Sequence, residues 1–247
     1  MNWDWHIGSK TLLAIGLLSL VACSKERADC FEGRGEQVTE VRPLEAFRSL
    51  HLEDRMNVVL VQDSSDFLEV TYGENGLGGI VETMDGETLR ISEDNRCDWM
   101  RKQDPLPQVR VHYTQLRHIL SENSGSVKGE NAFEGDSLKL EVEDVSGLIE
   151  LQVNCDAVDI IAHTGATDIK ASGTCGYVYI YNSGYAPIRA EDLISRTVSV
   201  HNNSTGDTYV NAWETLYYQI YHQGNIHLKG PASVVKWHQS GGGEVVF

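Results

Sequence analysis

Basic residues are scarce in this chain: 20 Lys and Arg face 36 Asp and Glu, a formal net charge of −16 over 247 residues. So few cations cannot neutralise a phosphate backbone, which excludes nucleic acid as a partner. They also exclude simple electrostatic docking on an anionic membrane. No block of like charge is long enough to form a tail, so the acidic surplus reads as surface solubility. Helical patterning is missing too. After the N-terminal stretch no segment sustains a 3.6-residue apolar period over three turns, so almost no helix is expected. Neither CxxC, HxxxH nor an EF-hand loop is present, so no metal ligand and no cofactor is expected. The Gly-rich turns lack the Lys and Ser/Thr of a phosphate loop, and no nucleophile motif stands out. No catalytic residue is therefore assigned.

The one long apolar run, residues 11–22 (TLLAIGLLSLVA), is too short to span a bilayer stably. It reads as the apolar region of a secretory signal, although Lys10 is its only preceding basic residue and Asp4 opposes it. It ends in Leu20-Val21-Ala22-Cys23, which resembles the bacterial lipobox, so residues 1–22 are expected to be cleaved and Cys23 lipidated. Each buried acyl CH₂ contributes ~0.8 kcal/mol, so two or three chains would hold the protein on a membrane. Ser24 after Cys23 leans towards the outer membrane. Residues 23–40 are polar and read as a tether. Cys30, Cys97, Cys155 and Cys175 remain, an even number that suggests disulfides in an exported chain. Cys155 and Cys175 are 20 residues apart and occupy one slot of successive repeats. Stacked strands would hold them about 4.8 Å apart, inside the disulfide window of roughly 4.4–6.8 Å. Either a bridge or a reduced stack fits, and Cys30–Cys97 would then tie the tether to the loop after Ile91.

From Leu138 onwards the chain repeats about every twenty residues: a short alternating run, a Gly-bearing turn, a second alternating run. A unit this short cannot bury its own apolar face and must stack on its neighbours. The first runs align Val142, Ile161, Ile180, Val200, Ile220 and Trp237, with Leu140, Asp159, Val178, Val198, Tyr218 and Val235 two residues earlier. The second runs align Ile149, Ile169, Ile188, Thr208, Ile226 and Val245, then Leu151, Ala171, Ala190, Val210, Leu228 and Phe247. Alternation turns these columns inward, with Asp159 the exception. Gly147, Gly165, Gly184, Gly206, Gly224 and Gly241–Gly243 fall at the corners, where a positive φ or a close backbone approach is needed. The pattern predicts an all-β chain: a single parallel β-helix domain over 41–247, less regular over 41–115 and with regular coils over 116–247. Asp85-Gly86 between two alternating runs predicts a hairpin.

SVHNNSTGDTYVNA, YHQGNIHLKGPASVVKWHQSGGGEV and, in the N-terminal half, Leu44–Leu50, Val59–Gln62, Gly73–Leu77 and Gly86–Ile91 resemble the putative auto-transporter adhesin head GIN domain family over about residues 38–247. The usual GSG corners appear here as NSGS, Asn203-Ser204-Thr205-Gly206 and HQG. The resemblance implies a right-handed, single-stranded β-helix in an exported lipoprotein of Bacteroidetes type. It brings no catalytic residues with it.

A rigid β face displays outward side chains at fixed spacing. The first-strand outward columns gather Tyr177 and Tyr217; Tyr179; and Tyr181, His201, Tyr221 and His238, a candidate face for glycan or an envelope protein partner. Aromatics also favour exposed strands and pair across ladders without binding anything. Glu150, Lys170, Arg189, Tyr209 and His227 suggest a surface ion-pair ladder worth about 0–1 kcal/mol per pair. Asn182, Asn202, His222 and Gln239 suggest stacked corner amides. A carbohydrate-active enzyme is the rival reading, with Glu141, Glu143, Asp144, Asp159 and His163 as its nearest candidates. A purely structural envelope lipoprotein is the third. Replacing Cys23→Ser is expected to move the protein from the membrane to the soluble fraction; continued membrane association would refute lipidation there.

Overall fold

The computed structural model of the chain describes residues 33–94 and 105–247. Strands β1 (Gln37–Pro43), β2 (Ser49–Leu52), β3 (Asn57–Gln62) and β4 (Phe67–Gly73) precede α1 (Glu74–Leu77), a single helical turn. β5 (Ile80–Asp85), β6 (Thr88–Glu93), β7 (Gln108–Tyr113), β8 (His118–Ser121) and β9 (Ser126–Gly129) follow. The regular part holds β10 (Phe133–Val142), β11 (Leu148–Ala162), β12 (Asp168–Asn182), β13 (Ile188–Asn202) and β14 (Thr208–Ile220). β15 (Ile226–Lys229), β16 (Ser233–Gln239) and β17 (Val245–Val246) complete it. All pair in one continuous sheet wound into a parallel β-solenoid of about six turns. No described helix is long and apolar enough to cross a membrane.

Period-two alternation builds the coils. Each inward side chain lies on its copy one coil away, so the apolar columns become a continuous core from Phe47 to Ala232. The second-strand column runs Ile149–Ile169–Ile188–Thr208–Ile226–Val245, as the repeat predicts, and Val127 extends it by one coil. The first-strand columns differ from the expected alignment. The register is Leu140–Ile160–Ile180–Val200–Tyr218 and Leu138–Val158–Val178–Val198–Leu216. Ile161 and Asp159 therefore point outward, which removes the Asp159 exception. The slip has two sources. Ile160 and Ile161 are both apolar, so alternation alone does not choose between them. The β13–β14 pairing then loses three residues after Ala190 and regains one after Ser195, which shortens that coil. Trp237 and Phe247, expected inside, are 56% and 86% exposed; the β14–β16 register shifts between Tyr218 and Gln219 and leaves Trp237 unpaired, facing outward.

The N-terminal coils do not stack in chain order. β2 pairs with β6 on one side and β8 on the other; β3 likewise lies between β7 and β9. The β6–β7 coil is therefore outermost, although β2–β3 precedes it in the chain. β4 runs antiparallel to β1 and β7, and β5 and β6 form the hairpin expected at Asp85-Gly86, where Gly86 has φ +60°. Antiparallel strands thus cover this end of the stack. β1 begins inside the stretch 23–40 expected to be a tether, since Gln37 is already paired with Gly73. The expected signal segment over 1–22, Cys23, Cys30 and Cys97 lie outside the described residues.

Corners stack as closely as strands. A Cβ on Gly224 would lie 2.2 Å from the Gly206 carbonyl oxygen, and one on Gly165, which has φ +89°, would lie 2.1 Å from that of Val145. The buried corner amides do not bond their own copies: Asn182 Nδ2 donates to Thr208 Oγ1 at 3.4 Å, and others bind backbone. Asn202 Nδ2 donates to the Gly224 carbonyl at 2.9 Å, and Asn123 exchanges bonds of 2.8 and 3.0 Å with the Met56 backbone. Ile220, not His222, takes the slot next to Asn202. Gly224→Ala is expected to destabilise the fold by about 1–3 kcal/mol through overpacking. Gly78→Ala, where no atom lies within 4 Å of a new Cβ, should change stability by less than about 1 kcal/mol. Thermal unfolding followed by circular dichroism measures both, and equal losses would refute the close-approach account.

Candidate binding face

Five rings form a ladder up one outer face. His163 lies 5.9 Å from Tyr181, Tyr181 5.0 Å from His201, His201 4.7 Å from Tyr221, and Tyr221 4.7 Å from His238. The last two pairs are stacked, with interplanar angles of 21° and 27°. The strand repeat sets this spacing. Two of the rings reach the ladder from outside the strands. Gln219, not Tyr221, is the backbone partner of His201. Tyr221 lies one residue past β14, its N–H donates to the Asn202 carbonyl at 2.9 Å, and its hydroxyl donates to Gln219 Oε1 at 2.8 Å. His163 likewise lies one residue past β11. It is the member that column counting missed, since it is 18 residues rather than 20 before Tyr181.

The other expected rings separate. Tyr177 aligns with Thr197 and Thr215, whereas Tyr217 aligns with Ser199 and Tyr179. Tyr217 stacks at 4.9 Å on Trp237 instead, so Trp237, expected in the core, belongs to this face. Burial, followed by the neighbouring Tyr177, Tyr181 and Asp159, pushes the Tyr179 phenol up, so it stays a hydrogen-bond donor. Burial pulls His201 down. The second-strand column is less of an ion-pair ladder than expected. Glu150 pairs with Lys128 at 3.4 Å, Arg189 lies over the Tyr209 ring at 5.5 Å, and Tyr209 stacks on His227 at 4.4 Å.

At the lower end of the ladder the fold gathers charge. Glu141 Oε2 lies 2.9 Å from His118 Nε2 and 2.6 Å from Lys139 Nζ, and its Oε1 lies 3.1 Å from His163 Nε2. Burial alone would raise the Glu141 pKa, but the bonds to Lys139, His163 and His118 outweigh it and hold it at about 2. A carboxylate held ionised is poorly suited to act as a general acid near neutrality. Glu143 lies 3.7 Å from the same His163 nitrogen. Asp144 and Asp159 stay apart from this group: Asp144 bonds Thr164 at a corner, and Asp159 lies beside Tyr179. Cys155 and Cys175 are register neighbours, as their spacing predicts. Both are free thiols with sulfurs 3.3 Å apart. Acting as the donor in this contact with Cys175, together with burial, pushes the Cys155 thiol up. A polar groove of about 360 Å³ lies elsewhere, between Gln62, Thr114, Arg117, Glu134 and Asp136, and touches none of these residues.

A parallel solenoid with a closed apolar core and an outer face of stacked rings is a display scaffold. The chain belongs to the family described as putative auto-transporter adhesin, head GIN domain, whose model matches residues 46–232. No curated protein matches the sequence. A putative adhesin from Bacteroides fragilis NCTC 9343 has a similar structure, with a TM-score of 0.78 at 21% identity over 85% of this chain and 96% of that one. A putative adhesin from Parabacteroides merdae ATCC 43184 superposes at TM-score 0.62, 17% identical over 87% and 98% of the two chains. A putative lipid binding protein from Parabacteroides distasonis ATCC 8503 does so at 0.63, 18% identical over the same shares. At these identities the likeness establishes the fold, and family membership supports an adhesin-like role at the bacterial cell envelope or surface.

The half-buried position of His201 has a pH consequence. The unfolded chain takes up a proton at about pH 6.5, while the folded ring, shifted down, resists protonation to lower pH. Stability should therefore fall as pH drops through about 6.5 and level off once the folded ring also protonates. His201→Gln should shrink the decrease in melting temperature between about pH 7.5 and about pH 5.5; an unchanged decrease overturns this assignment.

Proposed function

We propose that this protein is a lipid-anchored, adhesin-like component of the bacterial outer membrane that holds an extended glycan along its ring ladder. The observation that carries this reading is the run of five rings at 4.7–5.9 Å from His163 to His238. Stacking sharpens what such a ladder offers. From His201 to His238 the rings lie face to face and cover one another's faces along the solenoid axis, so they present edges to solvent, carrying Tyr hydroxyls and His N–H groups. These edges form a comb of polar groups repeating with the coils, suited to a ligand whose hydroxyls also repeat. Ring faces without a further stacked neighbour are left where the stack ends, at His238 and at Trp237 beside Tyr217. The N-terminal lipobox supports attachment to the membrane, and the acidic surface keeps the face from binding polyanions.

Conservative variants separate binding from architecture. Tyr→Phe keeps the stack and removes the hydroxyl, so Tyr179→Phe/Tyr181→Phe/Tyr221→Phe should melt within a few degrees of the parent chain. Glycan-array binding should fall at least ~10-fold, equivalent to ~1.4 kcal/mol. Unchanged binding would sink the ladder as the contact surface. A parent chain that retains no glycan would favour the purely structural reading, and turnover of a polysaccharide the enzymatic one.

A further inference from the structure

Three adjacent coils bring together residues that no sequence motif links. Glu141 lies next to the end of β10, Glu143 follows at the corner, and His163 stands at the same corner of the next coil. One ligand atom from each lies within 4.8 Å of the other two. His118, from the coil on the other side, faces the second oxygen of Glu141. We propose that Glu141, Glu143 and His163 form a binding site for a divalent transition metal of the zinc class.

Hydrogen-bond counting makes the first case. His163 Nε2 faces Glu141 Oε1 at 3.1 Å and Glu143 Oε1 at 3.7 Å. One ring nitrogen carries at most one proton, so it satisfies one carboxylate well and leaves the second at long range. A cation between the three groups serves both carboxylates and the nitrogen lone pair together. Geometry makes the second case. Zinc bonds to nitrogen and oxygen of ~2.0–2.2 Å place tetrahedral ligand atoms roughly 3.4 Å apart. The observed separations need only small side-chain rotations to reach this. Ligand type makes the third. One imidazole with two carboxylates suits zinc, whereas calcium takes about six to eight oxygens. Charge agrees: two carboxylates against one Lys139 leave the group anionic before metal enters. Glu143 and His163 are 42% and 41% exposed, so ions enter freely, and a fourth coordination position faces solvent.

Another group of the same kind, His51 with Glu53 and Glu122, sits on the preceding coils. Arg90 holds Glu53 there much as Lys139 holds Glu141 here, so that group is the matched control. The site reading is independent of glycan binding, and its test involves no sugar. Zinc titrated into the mature chain and followed by calorimetry should bind with a dissociation constant on the order of micromolar. Cobalt should give visible bands of a low-coordinate nitrogen–oxygen site. His163→Ala and Glu143→Gln should each weaken zinc at least ~10-fold, while His51→Ala leaves the tight event unchanged. Both substituted side chains are on the outer face, so circular dichroism should show an intact fold; if His163→Ala fails to fold, Glu143→Gln carries the test alone. No zinc uptake by the parent chain, tight binding that survives Glu143→Gln, or loss of the tight event in His51→Ala would each overturn the assignment.

Discussion

The parallel backbone ladder between coils is the interaction on which the rest of this molecule depends. A unit of about twenty residues is too small to enclose a core, and only the hydrogen bonds to the coils above and below fix its strands. The ladder sets side chains in columns, and every other property follows from those columns. Inward, it lays isoleucine on isoleucine from Ile149 to Ile188. Outward, it fixes rings and charges at the strand repeat. At the corners it presses backbone against backbone, so that Gly224 and Gly165 have no room for a side chain. Each end of the ladder is a problem of its own. Antiparallel β1, β4 and β5 cover the N-terminal end, whereas the last coil leaves Trp237 and Phe247 in solvent.

This dependence explains what the sequence reveals and what it hides. The second-strand column is legible from end to end because a glycine corner stands just before each copy and marks its phase. The first-strand column has no such marker near Ile160 and Ile161, and two neighbouring apolar residues leave alternation ambiguous. The shortened coil at β13–β14 is hidden for a different reason: a bulge of Glu191, Asp192 and Leu193 keeps strand-like composition on both sides. The out-of-order coil is hidden more completely. β2, β3, β6 and β7 are all plain alternating runs, and alternation says which face is buried without saying which strand lies alongside. The hairpin at Asp85-Gly86 is the contrary case, because its partner is fixed by a local turn.

The same logic applies to chemistry. Cys155 and Cys175 could be placed side by side from spacing alone, since both lie within strands at one phase of the repeat. Glu141, Glu143 and His163 could likewise be gathered on successive coils, but His118 could not. Its separation of 23 residues from Glu141 corresponds to no motif and acquires meaning only once the coil register is known. Side chains just beyond a strand end, such as His163 and Tyr221, lean across to a neighbouring coil, so counting along one column assigns them to the wrong place.

His163 is where the two outer features meet. Its ring begins the ladder against Tyr181, and its Nε2 faces the two carboxylates. A cation there would hold the ring through its nitrogen and restrict its tilt, which at 53° to Tyr181 is among the least parallel in the ladder. His201, Tyr221 and His238 are already ordered by stacking, so the lower end is where a bound ion would add most rigidity. Preorganised groups lose less conformational entropy when a ligand orders them. The acidic end and the aromatic face thus form one continuous surface in which charge and ring geometry are mechanically connected through a single imidazole.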